Sequence, residues 1–217
     1  MLASLDLDEL SLKFEDAPAT DIVAWAVETF GDRLCLTASM ADAVLIDVAT
    51  SVAPDIEIVF IDTDYHFPET LATVEAVRKR YNPRLTIMSA GAPRDDLWQI
   101  DTETCCEIRK VRPLEAAVTG KDAWLSGLRR ADSDDRAFAP VVSIDKRGKV
   151  KVNPIANWSD EQVERYIAER NVPVNPLIAQ GFTSVGCWPC TRAVQPGEDK
   201  RAGRWAGLGK TECGLHL

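Results

Sequence analysis

Residues 57–70 read EIVFIDTDYHFPET, and their pattern indicates a strand, a loop and the start of a helix. Its first five residues form a short, largely apolar run typical of a buried strand, and the polar segment DTDYHF that follows predicts a loop. Pro68 then stands at the first turn of a predicted helix, where a missing backbone N–H costs no hydrogen bond. A strand that leads through a short loop into a helix is the first half of a βαβ unit, so the stretch indicates a parallel sheet.

The same alternation continues on both sides of this stretch. Apolar residues with helical spacing precede it, from Ile22 to Phe30, and a capping-box pattern at residues 159–162 begins another long helix. Right-handed crossovers between such units build one mostly parallel, twisted sheet with helices on both faces. The remaining predicted elements are strands at 33–37, 85–88 and 124–127, a helix from residue 42 to about 49, and a hairpin of residues 141–144 and 150–155.

The charge of the chain limits its partners. The 34 acidic side chains outnumber the 25 basic ones, which gives a formal net charge of −9 at pH 7. A field of this sign repels nucleic acid, so we expect no nucleic-acid partner, whereas a small anion can still bind in a local basic pocket. The N-terminus is acidic and lacks a secretion signal, and no run approaches the roughly 18 apolar residues of a membrane span. The sequence therefore predicts a cytoplasmic protein without a membrane partner.

The six cysteines occur as two close pairs and two single residues. The pairs are Cys105-Cys106 and Cys187-x-x-Cys190, and the single residues are Cys35 and Cys213. Without a secretion signal, such thiols are better explained as metal ligands or catalytic groups than as a disulfide framework. Cys35 lies inside an apolar strand pattern and is expected in the core.

Three kinds of site can explain the four paired residues, called the cysteine quartet (Cys105, Cys106, Cys187 and Cys190). A structural zinc ion usually binds two C-x2-C pairs, and two adjacent ligands fit one tetrahedral ion poorly. An iron-sulfur cluster takes four thiolates, each on its own iron, and accepts neighbouring residues. A redox dithiol at Cys187 and Cys190 would leave the first pair unexplained. Four unrelated buried thiols are the remaining interpretation.

Polar residues follow the predicted strands at the edge of the sheet where ligands bind in such folds. Ser39 and Asp42 lie in a loop that leads into a helix N-terminus, a position that favours phosphate or sulfate, although neither glycine-rich phosphate motif is present. Arg129 and Arg130 directly follow a strand, where they either bind an anion or form a solvated charged turn. Together with this arginine pair, a local positive pocket is predicted from Lys110, Arg201 and Arg204, which lie near the paired cysteines in sequence.

Together these motifs resemble one family, the assimilatory sulfonucleotide reductases, and within it the cluster-containing adenosine 5'-phosphosulfate (APS) reductases. The resemblance covers nearly the whole chain, from the loop at Ser39 to Cys213. It rests on Ser39-x-x-Asp42, DTDYHFPET, the cysteine quartet, GLRR, R-x-x-R-W at 201–205 and the terminal ECGLH. The quartet followed by ECGLH is its most specific part.

The resemblance implies an adenine-nucleotide α-hydrolase-like fold and reduction of APS to sulfite and AMP, with electrons from thioredoxin. It also implies a 4Fe-4S cluster on the cysteine quartet and a catalytic thiolate at Cys213 that forms an S-sulfocysteine. We expect a nucleotide- and cluster-binding domain, residues 1–190, and a C-terminal segment, residues 191–217, while assembly into a homo-oligomer is left open. The implied substrate-binding residues are Ser39, Asp42, Asp62, Lys110, Arg129, Arg130, Arg136, Arg201, Arg204 and His216.

Two positions depart from the common family pattern. Ala41 stands where the family commonly has Glu, and Asp132-Ser133 stands where it commonly has Gln-Ser. Both positions lie near implied ligand contacts, so the details of nucleotide binding are where we expect this chain to differ.

Three other functions compete with APS reduction. A 3'-phosphoadenosine 5'-phosphosulfate (PAPS) reductase, or an enzyme that uses both nucleotides, performs the same chemistry, but PAPS reductases typically lack the quartet. A cluster-containing tRNA-thiolating enzyme should carry an S-G-G-x-D-S loop and a basic RNA face, whereas this chain has ASMADA and is acidic. A zinc-stabilised binding module without enzymatic activity is the third alternative.

Overall fold

One sheet organises the part of the chain that the computed structural model describes, residues 6–207 and residue 210. The strand order is β3-β2-β1-β4-β6-β5, and every neighbouring pair is parallel except the hairpin of β5 and β6. The mostly parallel sheet and its terminal hairpin are therefore confirmed. The strands are β1 (Leu34–Ala38), β2 (Glu57–Asp62), β3 (Arg84–Ser89), β4 (Ala123–Ser126), β5 (Val142–Ile144) and β6 (Val150–Val152).

The helices begin and end where local chemistry satisfies their free backbone groups. The helix after β2 begins with Pro68 and ends at Tyr81, and the next residue, Asn82, caps it in the left-handed conformation. The last helix has the predicted capping box, with reciprocal hydrogen bonds between Ser159 and Gln162. The described α-helices are α1 (Leu7–Lys13), α2 (Ala19–Phe30), α3 (Val44–Val52), α4 (Pro68–Tyr81), α5 (Leu97–Ile100), α6 (Thr102–Cys106), α7 (Arg112–Ala117) and α8 (Asp160–Arg170).

A π-helical turn, Glu107–Val111, joins α6 to α7. Such widened turns are rare and occur frequently at functional sites. This one directly follows Cys105 and Cys106 and buries both Arg109 and Lys110. Lys110 follows Cys106 by four residues, which would be one turn of a regular α-helix. The structure has a wider, π-helical turn at this place.

Alternate residues of the central strands pack on opposite faces of the sheet. Leu36, Phe60 and Leu125 belong to the larger core, which includes α2 and α3. Cys35 and Trp124 face the other way and pack with apolar residues of α7. Cys35 is fully buried, and burial raises the pKa of its thiol to about 12. Its expected place in the core is confirmed.

The strand order gathers the loops that carry the candidate site. The chain passes from β1 to β2 on one side, whereas β4 adds to the other side of β1. In such sheets, ligands bind beyond the carboxyl ends of the strands at this point of reversal. The loops that follow β1, β2 and β4 contain Ser39, the DTDYHF segment and Arg129.

The described part of the C-terminal segment folds back so that Trp205 contacts the backbone of Cys190. The backbone N–H of Arg192 donates to the carbonyl of Gly203, and that of Trp205 donates to the carbonyl of Cys190. A domain boundary at residue 190 stays a prediction. Within the described residues, no helix combines the length and apolar character needed to cross a membrane.

Candidate active site

The fold brings the two cysteine pairs to one region. Cys105 and Cys106 end α6, while Cys187 and Cys190 lie at the two ends of one tight turn, closed by a 3.0 Å hydrogen bond between their backbones. The backbone of Cys187 also forms a β-bridge with His66 of the DTDYHF loop. All four thiols are buried, and none forms a disulfide.

The thiols of the quartet influence one another. Burial, and then the other three members of the quartet, raise the pKa of Cys105 to about 11. Burial and Cys187 raise the pKa of Cys190, against an opposing effect of Lys110. The fold thus brings the two pairs near enough for their thiols to affect one another's ionisation.

Four cysteine thiols are a donor set of the kind that an iron-sulfur cluster accepts. Among the described residues, no group of three or more His, Cys, Asp or Glu side chains is arranged to hold a metal ion. A four-iron cluster spaces its thiolates more widely than one zinc ion does, because each binds its own iron. Its iron ions would also offset the repulsion between buried thiolates, so the four cysteines fit such a group.

A cavity with several charged lining residues adjoins the quartet. Arg201, Arg204 and Lys210 line a cavity of about 520 Å³, a size typical of small-molecule sites. Guanidinium groups of Arg201 and Arg204 both donate to Oγ of Ser184 at 3.3 Å, which holds them side by side. Three aspartates, Asp134, Asp135 and Asp199, also line the cavity, so its cationic and acidic lining residues are equal in number.

The indole ring of Trp205 connects the cations of this region. Its centre lies 4.2 Å from Cζ of Arg204, 5.6 Å from Nζ of Lys110 and 5.7 Å from Nζ of Lys210. Trp205 is buried, and its φ of 49° is one that bulky residues rarely adopt, so the surrounding structure must fix it. A cation over an aromatic face gains about 1 to 2 kcal/mol when it is desolvated. The ring therefore joins Lys110 of the π-helical turn to the cations of the C-terminal segment.

Gly186 makes room for Arg204. A Cβ atom at Gly186 would lie 2.9 Å from Nε of Arg204 and closer still to its Cζ and Nη2. The guanidinium group thus rests against the backbone that immediately precedes Cys187. This close approach needs a residue without a side chain, for which glycine is the only choice.

Buried polar atoms near the quartet include donors that have no partner among the described residues. They are Nε1 of Trp205 and Nε of Arg204. Such N–H groups suit an anionic acceptor, either the sulfur atoms of a cluster or the oxygens of a sulfate. His66 differs, because its Nε2–H donates to the carbonyl of Ile61 at 2.9 Å and burial lowers its pKa, which leaves the neutral ring with an acceptor at Nδ1.

The implied nucleotide residues lie at the carboxyl ends of β1 and β2. Ser39 directly follows β1 and is exposed. Oδ1 of Asp42 accepts the N–H of Val44, the first residue of α3, at 2.9 Å. Oδ1 of Asp62 accepts the N–H of Asp64 at the same distance. Both carboxylates thus shape their loops through the backbone, while the Ser39 side chain faces solvent.

Asp132 binds two of the three arginines predicted after β4. Its Oδ1 accepts from Nη2 of Arg129 at 2.8 Å, and its Oδ2 accepts from Nη1 of Arg136 at 3.2 Å. Arg129 also donates to Asp160 at 3.1 Å. The acidic residue at position 132, where the family commonly has Gln, therefore competes with an anionic ligand for both arginines.

Arg130 points elsewhere. Its guanidinium group forks onto the carboxylate of Glu15, with 2.9 Å between Nη2 and Oε2, and its Nε donates to the carbonyl of Ala139 at 2.8 Å. The structure does not bring Arg130, Arg129 or Arg136 into the lining of the cavity formed by Arg201 and Arg204. Arg130 instead fastens the segment between α1 and α2 to the loop after β4.

The predicted catalytic residue Cys213 and the predicted contact His216 lie outside the described residues. Lys210 is the described residue that precedes them, and its Nζ lies 2.6 Å from Oε2 of Glu103 on α6. Two residues lie between Lys210 and Cys213, so the chain allows the Cα atoms of these two residues to be at most about 10 Å apart.

The arrangement described above belongs to a known protein family. Residues 33–193 match the family model described as the phosphoadenosine phosphosulfate reductase domain. The chain is a member of this family. Among curated members, an adenosine 5'-phosphosulfate reductase of Streptomyces coelicolor is 51% identical, covering 94% of this chain and 90% of the relative. One of Mycobacterium tuberculosis is 43% identical, covering 94% and 91%.

Solved structures agree with the family assignment. A phosphoadenylyl-sulfate reductase from Candida auris, in complex with phosphate, superposes with a TM-score of 0.76 and 29% identity, covering 87% of this chain and 96% of that one. An FMN adenylyltransferase of Candida glabrata shares only the fold, with a TM-score of 0.58, 14% identity, and coverage of 80% and 64%. The expected α/β nucleotide-binding fold of the phosphosulfate reductase family is confirmed.

Several contributing residues were not predicted. Trp205 was visible in the R-x-x-R-W motif, but nothing in that spacing indicates three surrounding cations. The role of Gly186 depends on a guanidinium group 18 positions away, and Glu103 has no local signal that pairs it with Lys210. Each of these contacts joins distant segments, which is why local patterns do not reveal them.

Proposed function

We propose that this member of the phosphosulfate reductase family reduces APS to sulfite and AMP, in sulfate assimilation and cysteine biosynthesis, in the cytoplasm. The observation that carries the proposal is a cluster of cations beside the cysteine quartet in a chain of net charge −9: Lys110, Arg204 and Lys210 surround the ring of Trp205, and Arg201 shares Ser184 with Arg204. A local positive site of this kind selects a small anion despite the repulsive field of the whole protein.

The substrate is assigned to the cavity and to the neighbouring strand ends. Arg201 and Arg204 would bind the phosphosulfate, with Lys110 behind them, and the nucleotide would extend towards Ser39 and Asp42. Curated relatives at 51% and 43% identity carry the name adenosine 5'-phosphosulfate reductase, which supports this choice of nucleotide. The family assignment also favours a reductase over the tRNA-thiolating enzyme and the zinc-stabilised module.

The first chemical step is nucleophilic attack by the Cys213 thiolate on the sulfur of the sulfate group. A bond forms between Sγ and that sulfur, and the bond to the bridging oxygen breaks, so AMP leaves with the electron pair. The product is S-sulfocysteine at position 213. Arg201 and Arg204 would stabilise both the thiolate and the charge that spreads over the transferred group.

The second step needs a dithiol from another protein, and we assign it to a thioredoxin. One of its thiolates attacks Sγ of Cys213 and expels sulfite with the electron pair, which forms a mixed disulfide. Its second thiol then attacks that disulfide, restores the Cys213 thiolate, releases a proton and leaves the thioredoxin oxidised by two electrons. A second cysteine on the same tail is not needed.

The cysteine quartet is assigned to a 4Fe-4S cluster. When bound, the cluster supplies a rigid charged group beside Lys110, so its role is structural and electrostatic. The buried donors Nε1 of Trp205 and Nε of Arg204 would lie between this group and the substrate. Iron analysis and the visible absorption spectrum of protein purified without oxygen test the assignment, and zinc without iron would refute it.

PAPS is the second candidate substrate. The structural similarity to a fungal phosphoadenylyl-sulfate reductase favours it, because the two proteins share 29% identity over nearly all of that chain. Comparison of kcat/KM for APS and PAPS distinguishes strict from dual use. A clear preference for PAPS would contradict the first choice.

Removal of the last five residues tests the role assigned to the tail. The truncated protein, ending at residue 212, should keep its iron and bind APS but produce no sulfite. The matched control is truncation after residue 216, which keeps Cys213 and His216. Sulfite formation by the shorter protein would disprove the catalytic assignment.

A further inference from the structure

A partly exposed aromatic pair lies next to the cysteine quartet. The rings of Trp98 and Trp188, with Ile100 two residues after Trp98 on the same short helix, are called the aromatic surface. Trp188 is 46% exposed and Ile100 is 79% exposed, although both side chains are large and apolar. The rings of Trp98 and Trp188 are 6.1 Å apart and tilted by 57°, a favourable geometry for aromatic pairs. Helix α5, which carries Trp98 and Ile100, buries none of its residues.

The aromatic surface packs on the buried residue Tyr65. The backbone N–H of Trp188 donates to the carbonyl of Tyr65 at 2.8 Å, and the two rings lie 6.3 Å apart. Tyr65 is itself buried and donates its hydroxyl to the carbonyl of Asp95 at 2.6 Å, while the guanidinium group of Arg109 lies over its ring at 4.8 Å. A rigid apolar platform of this kind loses little conformational entropy when another protein binds.

The aromatic surface continues to the point where the C-terminal tail leaves the described structure. Oγ1 of Thr102 donates to the carbonyl of Trp98 at 3.0 Å, which joins α5 to the start of α6. The next residue, Glu103, forms the ion pair with Lys210. Cys213 follows Lys210 by three residues and therefore stays within about 10 Å of it.

This short reach constrains any protein that attacks Cys213. A specific protein–protein interface covers about 800 Å² on each partner, far more than the end of a short tail provides. A protein that brings its thiolate to Cys213 must therefore rest on the surface around Glu103 and Lys210. The aromatic surface adjoins that point, whereas the exposed apolar residues Leu12 and Ile144 lie on α1 and β5 at the far edge of the sheet.

We propose that the aromatic surface is the docking site of the reducing thioredoxin. The proposal rests on the function proposed above and adds where the partner binds. The tryptophans supply the buried aromatic centre that dominates binding energy in many interfaces, and the tail supplies the sulfur that the partner attacks. A thioredoxin bound there would lie beside Lys210, where its thiolate can reach the S-sulfocysteine at position 213.

The test separates formation of the S-sulfocysteine from its release. The variants are Trp98→Ala, Trp188→Ala and Ile100→Arg, and the matched control is Leu12→Arg, an equally exposed apolar residue at the far edge of the sheet. Intact mass after anaerobic incubation with APS measures formation without any reductant. Sulfite release is then measured with reduced thioredoxin and, separately, with dithiothreitol.

We expect each of the three variants to form the S-sulfocysteine and to release sulfite to dithiothreitol as the wild type does. The KM for thioredoxin should rise about thirtyfold in each, as for the loss of one interface hot spot, and stay unchanged in Leu12→Arg. If Trp188→Ala loses iron, the other two variants decide. An unchanged KM for thioredoxin in Trp98→Ala and Ile100→Arg would overturn the proposal.

Two other outcomes are distinguishable. Slower formation of the S-sulfocysteine in Trp98→Ala and Ile100→Arg would assign the aromatic surface to the tail of this chain instead, and would also overturn the proposal. If the wild-type protein forms no S-sulfocysteine, the proposed function fails before the docking site is tested.

Discussion

The ammonium group of Lys110 lies 5.6 Å from the ring centre of Trp205. One residue belongs to a π-helical turn directly after the first cysteine pair, and the other to the segment directly after the second pair. The contact therefore couples the two halves of the cysteine quartet to the cavity, where Arg204 covers the same ring at 4.2 Å.

Replacement of Trp205 should weaken binding of APS. In Trp205→Leu the ring that holds Lys110 and Arg204 is lost, and with it about 1 to 2 kcal/mol per desolvated cation–π contact. We expect the Kd for APS to rise at least tenfold, measured by calorimetry on iron-replete protein. Trp205→Phe is the matched control, because it keeps an aromatic face and should lose less. Equal affinity in Trp205→Leu and the wild type would exclude this role.

Asp132→Asn should strengthen binding of APS. The substitution removes the carboxylate that pairs with Arg129 at 2.8 Å and Arg136 at 3.2 Å, and so weakens the competition with an anion for both cations, while Arg129 keeps its contact with Asp160. A loss of roughly 1 kcal/mol of competing interaction corresponds to a fall in Kd of about fivefold. Asp55→Asn makes the same change in net charge just before β2, at the opposite end of the parallel strands. An effect of equal size in both variants would mean that net charge alone is responsible.

Gly186→Ala should displace Arg204 without unfolding the protein. The added Cβ would meet the far end of a flexible side chain, which can move away, rather than backbone. We expect a KM for APS raised by about the same factor as in Arg204→Ala, with unchanged thermal stability. Gly127→Ala is the control, since its Cβ would lie 3.9 Å from the nearest atom. If the two residues act through one contact, the double variant should have the same KM for APS as Arg204→Ala alone. A KM raised by the product of the two single effects would show that they act independently.

A buried carboxylate away from the site links stability to pH. Asp47 on α3 accepts hydrogen bonds from Tyr166 at 2.8 Å, from Tyr81 at 3.0 Å and from Arg170. Burial alone would raise the pKa of Asp47, but these three donors outweigh it and hold the pKa below its ordinary value. Because the folded pKa is lowered, the stabilisation is present above the unfolded value near 4 and is lost as the pH falls through the folded pKa.

Asp47→Asn should therefore cost about 3 kcal/mol of unfolding free energy at pH 7, since it disrupts a buried network with a charged acceptor. The difference from the wild type should shrink as the pH falls below about 4, as followed by denaturant unfolding. Asp55→Asn, at an exposed turn, serves as control. A difference that is constant across the pH range would contradict a charged Asp47.

The sheet could be predicted from the sequence, whereas most of the site contacts could not. Apolar runs such as residues 57–61, and helix-start residues such as Pro68, are local signals. The spacing of apolar residues along the chain is enough to predict strands and helices. The cysteine quartet was visible because its spacing is a chemical signature. By contrast, Arg130 binds Glu15 across 115 positions, and no local pattern encodes that pairing.

The π-helical turn at residues 107–111 illustrates the same limit. A sequence pattern assigns regular helical spacing to Lys110, but the packed surroundings of Arg109 override it: this guanidinium group pairs with Asp64 at 3.0 Å and Asp95 at 3.1 Å. These ion pairs join the turn to segments that a local pattern does not include. Where Lys110 points is therefore a property of the whole fold.

The proposed mechanism requires Cys213 to accept the sulfonate group of APS. Anaerobic incubation of the full chain with APS, without reductant, followed by intact mass and peptide mapping, measures this transfer. We expect one added SO₃ unit on Cys213, absent from Cys213→Ser and released as sulfite by reduced thioredoxin. An iron-replete wild-type protein that gains no adduct, or an adduct that persists in Cys213→Ser, would contradict it.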